Sequence, residues 1–264
     1  NNPEKNLSNH YEGKVLGEIW GYRVDGLFAS DEEAAEYTSK INQDAVNERI
    51  LTDKVDPYYR AGDLKFRDLD GDNVISKGDD TAYDAGDREI IGNETPRYMY
   101  SFRLGADWNG FDLGIFFQGV GKRDWYPNYL STGFWGPYSR AFTSFIPENF
   151  MDQCWSEENR DGYFPRFRGY QTFAGSQLGV NNDRYLQDAS YIRLKNLTVG
   201  YTLPVLKKVF TKLRVYFTGE NLWYWSPMLK HTKYIDPEAA GGNGNTGMAY
   251  NYSRNFSVGV DITF

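Results

Sequence analysis

Apolar and polar residues alternate by two through several long stretches of the chain. From Tyr98 onward, Tyr98, Tyr100, Phe102, Leu104, Ala106 and Trp108 fall on one face, and Ser101, Arg103, Gly105 and Asp107 on the other. That spacing predicts a strand with one greasy and one wet side, because successive side chains of a strand point to opposite faces. Asn109-Gly110 follows, and then Phe111, Leu113, Ile115 and Phe117 resume the apolar face against Asp112, Gly114 and Gln118. Two runs joined by Asn-Gly predict a hairpin with a two-residue turn. The same alternation places strands near 213–225 (Leu213, Val215, Phe217) and 254–264 (Phe256, Val258, Val260, Ile262, Phe264). In the stretch 189–203 the apolar phase slips from Ile192 and Leu194 to Leu197, Val199 and Tyr201. One extra residue at Lys195 to Asn196, a β-bulge, accounts for the slip. A weaker strand is expected at 15–22, beside the stronger ones at 98–109 and 111–122.

The connections sort into two kinds. Asn109-Gly110 and Pro204 to Lys212 are short, whereas 23–97, 123–188 and 226–250 are long, and the long ones all fall at the same end of the strands. Short turns at one end and long loops at the other are the pattern of an outer-membrane barrel. A water-soluble sandwich would also alternate, since alternation requires only one buried face. Aromatic residues at the strand ends (Tyr98, Trp108, Phe111, Tyr201, Trp223, Trp225, Phe264) and charges on the polar faces (Arg103, Asp107, Arg214, Glu220) favour the membrane wall. The expected fold class is all-β, a transmembrane antiparallel β-barrel. Six strands close no barrel, since the smallest have about eight, and an open edge in lipid leaves backbone groups unpaired. The missing strands are therefore expected before Asn1.

Composition narrows the alternatives. No apolar run approaches the length of a membrane helix, and no leader-like start precedes the strands. One cysteine, Cys154, allows no internal disulfide, and with two histidines, His10 and His231, it excludes a cysteine–histidine metal cluster. The net charge of −7 is uneven: from Asp25 to Arg97 there are 19 acidic against 9 basic residues, so this segment alone carries −10 and the remainder +3. Without a basic stripe the chain is not expected to bind nucleic acid.

Several motifs then converge. Gly62-Asp63-Leu64-Lys65-Phe66-Arg67-Asp68-Leu69-Asp70-Gly71-Asp72, Ile90-Ile91-Gly92-Asn93, Gly110-Phe111-Asp112-Leu113, Phe116-Phe117-Gln118-Gly119, the run Tyr191 to Tyr201, the run Leu213 to Leu222, and Asp236-Pro237-Glu238 occur in this order. With Gly21-Tyr22 and Asp25-Gly26-Leu27-Phe28, they resemble the C-terminal part of SusC/RagA-type TonB-linked outer-membrane transporters. The resemblance implies a large plugged barrel of about 22 strands with long extracellular loops. It further implies uptake of oligosaccharides or peptides with a SusD-like surface lipoprotein as partner. Energy would come from TonB through an N-terminal plug that is expected to lie outside this chain, as is the N-terminal part of the same barrel. Outer-membrane lipid is then the solvent of the apolar faces, and the bacterial outer membrane the location. Phe264 would end the strand that such barrels hand to the insertion machinery, or simply join the aromatic girdle. Two other readings stay open: a transporter-like barrel kept as a non-transporting structural subunit of a larger outer-membrane assembly, and a soluble calcium-bound, sugar-binding sandwich.

Three segments carry candidate chemistry. Asp68 to Asp79 reads as a twelve-residue calcium loop, with Asp68, Asp70 and Asp72 at positions one, three and five, the Val74 carbonyl at seven, Ser76 at nine and Asp79 at twelve. Asn73 stands where glycine is usual and Asp79 where glutamate is usual. Calcium or another hard cation in a structural role is one reading, a solvated acidic turn the other. Ser30-Asp31-Glu32-Glu33 is a capping box that predicts a surface helix running to about Leu51, either a contact for the partner lipoprotein or a solvated helix. Trp125, Tyr126, Tyr129, Phe134, Trp135 and Tyr138 crowd one loop, either as stacking platforms for a sugar or peptide, with Trp125, Tyr126, Trp135 and Tyr138 as candidate substrate residues, or as packing for the loop itself. Enzyme activity is not expected. Gly119-Val120-Gly121-Lys122 is too short for a phosphate loop, Cys154 has no histidine nearby in sequence, and the adjacent Glu157 and Glu158 diverge.

Overall fold

In the computed structural model, Asn109 and Gly110 both take positive φ, +48° and +88°. These are the dihedrals of the hairpin turn whose twist matches that of its strands. The structure describes residues 2–142, 144, 146–204, 211–240 and 250–264. Parts of the connections Pro204 to Lys212 (205–210) and 226–250 (241–249) therefore lie outside the described residues. In chain order the strands are β1 (Glu18–Tyr22), β2 (Val24–Leu27), β3 (Leu64–Phe66), β4 (Arg88–Asn93), β5 (Tyr98–Trp108), β6 (Phe111–Gly121), β7 (Asp124–Trp125), β8 (Cys154–Trp155), β9 (Phe164–Arg166), β10 (Gln187–Asp188), β11 (Tyr191–Thr202), β12 (Lys212–Trp225) and β13 (Asn255–Thr263). They divide between two units, one from 2–95 and 124–187, the other from 96–123, 188–239 and 250–264.

The second unit is a single antiparallel sheet in the order β13-β12-β11-β6-β5. β5 and β6 pair without a register shift from Tyr98–Gly121 down to Trp108–Phe111. Across β11 the ladder changes. Leu194 pairs with Phe117 and Asn196 with Phe116, so one step of β6 faces two of β11. On the other side Leu194 pairs with Trp223 and Asn196 with Glu220, so the same two steps face three of β12. Asn221 absorbs part of this excess at φ +52°. The expected bulge is therefore present, and it widens from β6 to β12.

Its effect is on parity. Ile192, Leu194, Leu197, Val199 and Tyr201 pair with Gly119, Phe117, Ile115, Leu113 and Phe111 of β6, and these partners alternate without interruption. Both halves of β11 thus keep their apolar residues on one face. That face is bare: Leu104 is 56% exposed, Val258 76% and Val260 54%. A contiguous apolar surface of this kind marks contact with lipid or with another protein. On the opposite face Arg214 of β12 reaches over β11 to the Asp112 carboxylate on β6, at 2.6 and 2.8 Å, and sideways to Asp261 on β13 at 2.9 Å. Gly200 lies beneath this triad, where a Cβ would collide with both Asp112 and Arg214. Neither β5 nor β13 has an outer partner strand among the described residues.

The first unit corrects two sequence expectations. The segment 15–22 is not a strand of the wall: β1 pairs with β4 in a separate two-stranded sheet. Five residues cannot cross a bilayer, which takes about nine to eleven, and Ile19 and Tyr22 are buried within this unit. The helix that starts at Ser30 ends at Thr38 instead of near Leu51. Ser30 caps it by accepting from the Glu33 amide at 3.2 Å, and the Thr38 hydroxyl donates back to the Ala34 carbonyl at 2.8 Å. The long connections 23–97 and 123–188 supply a shared core in which Phe28, Leu64, Phe66, Ile75, Trp125, Trp135 and Phe164 are buried. No helix among the described residues is long and apolar enough to cross a membrane.

Gly62 is a tight point of this core to test. It sits at φ +86°, and a Cβ there would enter the indole of Trp155. Gly62→Ala is expected to cost about 2 kcal/mol, from backbone strain and overpacking together. A lowered denaturant midpoint with unchanged slope is the readout.

Candidate functional site

The acidic loop is built by its own backbone amides. Asp68 accepts from the Gly71 and Asn73 amides at 2.7 and 3.0 Å, Asp70 from Asp72 at 3.0 Å, and Asp72 from Val74 at 2.7 Å. Gly71 and Asn73 take φ +80° and +67°, so the asparagine at position six makes the left-handed turn that glycine usually makes. Beyond the turn, Asn42 and Ile75 anchor the loop: the Asn42 amide donates to the Asn73 carbonyl at 2.8 Å and the Ile75 amide to the Asn42 carbonyl at 2.7 Å.

The carboxylates that converge are Asp68, Asp70 and Asp87, with one oxygen from each within 4.8 Å of the others. Asp72 and Asp79 are not among them. The Asp79 amide instead donates to Asp84 at 3.3 Å, and the Ser76 hydroxyl accepts from the Gly78 amide at 3.1 Å. Asp87 takes the closing place that the twelve-residue template gives to Asp79. It is fully buried and accepts from the Leu69 and Ser76 amides at 2.7 Å each. Burial pushes its carboxyl above the usual range, the two backbone amides pull it back, and Asp70 and Asp68 push it up again. A hard cation contacts oxygens at about 2.3–2.6 Å, so oxygens up to about 5 Å apart can share one. The donor set suits such an ion, and an ion would relieve the crowding of like charge. Asp87 lies nineteen positions after Asp68, beyond the reach of any loop template.

The aromatic loop does not present the rings expected for a ligand. Trp125, Trp135 and Tyr138 are buried. The Trp135 indole N–H donates to the Pro127 and Asn128 carbonyls at 3.1 Å, and the Tyr138 hydroxyl donates to the Pro165 carbonyl at 2.6 Å. Tyr126 is half-buried, and its hydroxyl donates to the Val180 carbonyl at 2.8 Å and accepts from Asn182 at 3.0 Å. Trp135 stands edge-on to Phe134 and Tyr185, and Phe164 stacks between Phe150 and Tyr185. The structure thus places the candidate substrate residues Trp125, Trp135 and Tyr138 in the core, at 1%, 0% and 0% exposure, where they present no surface to a sugar or peptide. Cys154 is buried beside Tyr138, and burial pushes its thiol up, with a hydrogen bond to Tyr138 pulling partly back. Glu157 pairs with Arg160 at 2.8 Å, and Glu158 accepts from the Ser156 hydroxyl at 3.1 Å.

No family model matches the chain. It is 30% identical over 269 aligned positions to TonB-dependent receptor P3 of Formosa agariphila, an alignment that covers 96% of the chain and 22% of that protein. TonB-dependent receptor P26 of the same organism is 28% identical over 216 positions, covering 77% of the chain and 20% of its own length. The chain therefore spans about a fifth of the length of the curated relatives it matches. Among solved structures, the RagAB peptide importer in its open-open state aligns with 97% of the chain and 24% of its own, at TM-score 0.54 and 19% identity. The structure of the RagAB peptide transporter aligns with 95% of the chain and 23% of its own, at TM-score 0.57 and 20% identity. The resemblance read from the motifs holds: the chain's relatives are TonB-dependent receptors, and its fold is that of a RagAB chain.

A thiol held protonated in a packed core reacts slowly. Cys154 is expected to resist a soluble thiol reagent at pH 8 in the folded protein and to react within seconds once denatured, as followed by absorbance.

Proposed function

We propose that this chain forms part of the wall and the loops of a TonB-dependent transporter in the bacterial outer membrane. The observation that carries the reading is the five-stranded sheet itself, with one bare apolar face, a polar face holding Arg214, Asp112 and Asp261, and no strand beyond β5 or β13 among the described residues. Such a sheet is stable in a bilayer only as part of a closed cylinder with lipid outside and water inside. The remaining strands are supplied by the N-terminal part of the same polypeptide, giving a plugged barrel of about 22 strands. The transported nutrient is an oligosaccharide or a peptide, a SusD-like surface lipoprotein assists its capture, and TonB supplies energy through the plug. The relatives are named as receptors and the structural neighbours as a peptide importer, which supports transport over catalysis.

The acidic loop belongs to the same reading as a structural calcium site, with Asp68, Asp70 and Asp87 as its carboxylates. The ion would neutralise the most acidic segment of the chain where it turns back on itself. Its role is to hold the loop, not to react.

Two measurements test these statements. Ser257 and Val258 are neighbours on β13, on the polar and the apolar face respectively. Val258→Arg is expected to lose about 2–4 kcal/mol of folding stability in a bilayer while Ser257→Arg is near neutral, read from the fraction of heat-modifiable, folded protein in outer membranes. Equal effects of the two would overturn the membrane wall. For the loop, calcium at about 100 times its Kd adds about 2.7 kcal/mol, so melting in calcium should exceed melting in chelator, and Asp70→Asn should remove the difference. Identical melting curves in the native protein would dismiss the ion.

A further inference from the structure

At the upper end of β11 two cations stand on the polar face where the pleat alone would not put them. Continuing the alternation of Leu197, Val199 and Tyr201 upward would turn Lys195 and Arg193 to the apolar side; the bulge between Leu194 and Asn196 turns both to the polar side instead. There they meet the short motif Asp236-Pro237-Glu238. Arg193 pairs with the Asp236 carboxylate, each side chain 1% exposed, and its Nε lies 3.0 Å from Glu238 Oε2. Lys195 Nζ donates to both Glu238 oxygens at 2.8 Å. Arg123, just past the end of β6, donates to the Pro237 carbonyl at 3.2 Å. Three cations, two from β11 and one from the flank of β6, thus hold three consecutive residues.

The surroundings complete the grip. The Arg193 guanidinium lies over the rings of Tyr224 and Tyr252, at 4.6 and 5.2 Å, and Lys195 lies 4.7 Å from the Tyr252 ring. The Asp236 amide donates to Asn251 at 3.1 Å, and the Asn251 amide group donates to the Tyr234 carbonyl at 3.2 Å. Residues 234–238 of the last long connection and Asn251, just after it, are therefore gathered at one place. A set of buried charges is a costly way to obtain stability, because desolvation offsets much of the Coulombic attraction. Apolar side chains would hold the segment at least as firmly. What paired charges add is a single geometry, since any displacement leaves a buried charge without its partner.

We propose that Arg123, Arg193 and Lys195 form a clamp that fastens Asp236-Pro237-Glu238 to the polar face of the sheet, making the segment 232–239 a strap on that face. The strap lies against the wall as long as the charges match, and it releases as a unit when one is removed. The proposal rests on the transporter reading only in naming the polar face as the lumen; the clamp itself is a property of these side chains.

Hydrogen exchange on the membrane-inserted full-length protein tests it. Lys195→Gln and Glu238→Gln are each expected to speed amide exchange across 232–239 at least tenfold, while exchange in β12 from Leu213 to Thr218 stays at the native rate. The double variant should be no faster than the faster single one, because both changes break the same link. The exchanged pair, Lys195→Glu with Glu238→Lys, should return slow exchange even where a single variant assembles poorly. Native-rate exchange at 232–239 in the single variants, or an assembled exchanged pair that still exchanges fast, would overturn the clamp. Either result leaves the Val258 and Ser257 contrast untouched, so the failure of the strap and the failure of the membrane reading are told apart.

Discussion

The rest of the structure depends on one constraint: every backbone N–H and C=O in an apolar medium needs a partner. Among the described residues, β5 and β13 satisfy that constraint on one side only, and the sheet they share with β6, β11 and β12 is greasy on one face. In water such a sheet would aggregate by its edges, and in lipid it would leave two rows of peptide groups unpaired. A sheet continued until it meets itself answers both. The long alternating strands, the tight Asn109-Gly110 turn and the uncovered leucines and valines all suit such a closure.

The two units obey different rules for the same residue types. In the wall, aromatic and aliphatic side chains stand exposed, and charged groups such as Arg214 and Asp112 are satisfied across strands. In the loop unit the familiar order returns: Trp135, Tyr138, Phe164 and Tyr185 lie inside, their polar atoms bound to backbone carbonyls. The burial of Asp63 against Arg168 at 3.2 Å is the polar counterpart of that packing, and burial pushes the Asp63 carboxyl upward while Arg168 pulls it down. A long connection that stays ordered needs a core of its own, and these segments have one.

Much of the wall is legible in the sequence because its signals are local. Asn109-Gly110 fixes its own turn, and the phase slip at Lys195 betrays the bulge, since alternation by two has no other way to change sign. The acidic turn is half legible: Asp68 and Asp70 meet, but their third partner, Asp87, arrives through the fold and not through spacing. The aromatic loop misleads because a run of rings has the same composition whether it faces a ligand or a core. The segment 15–22 misleads for a related reason, as a short apolar strand gives no sign of which sheet it joins. The clamp on Asp236-Pro237-Glu238 is invisible in sequence, its cations lying 41 or more positions from the motif they grip.

The bulge also limits how β11 can vary in length. Removing Lys195 takes out the extra residue that the bulge absorbs, so plain alternation returns with Ile192 and Leu194 still on the apolar face and Arg193 on the polar one. A residue gained or lost away from the bulge has no such outlet, and it inverts the two sides of the strand between that point and the bulge.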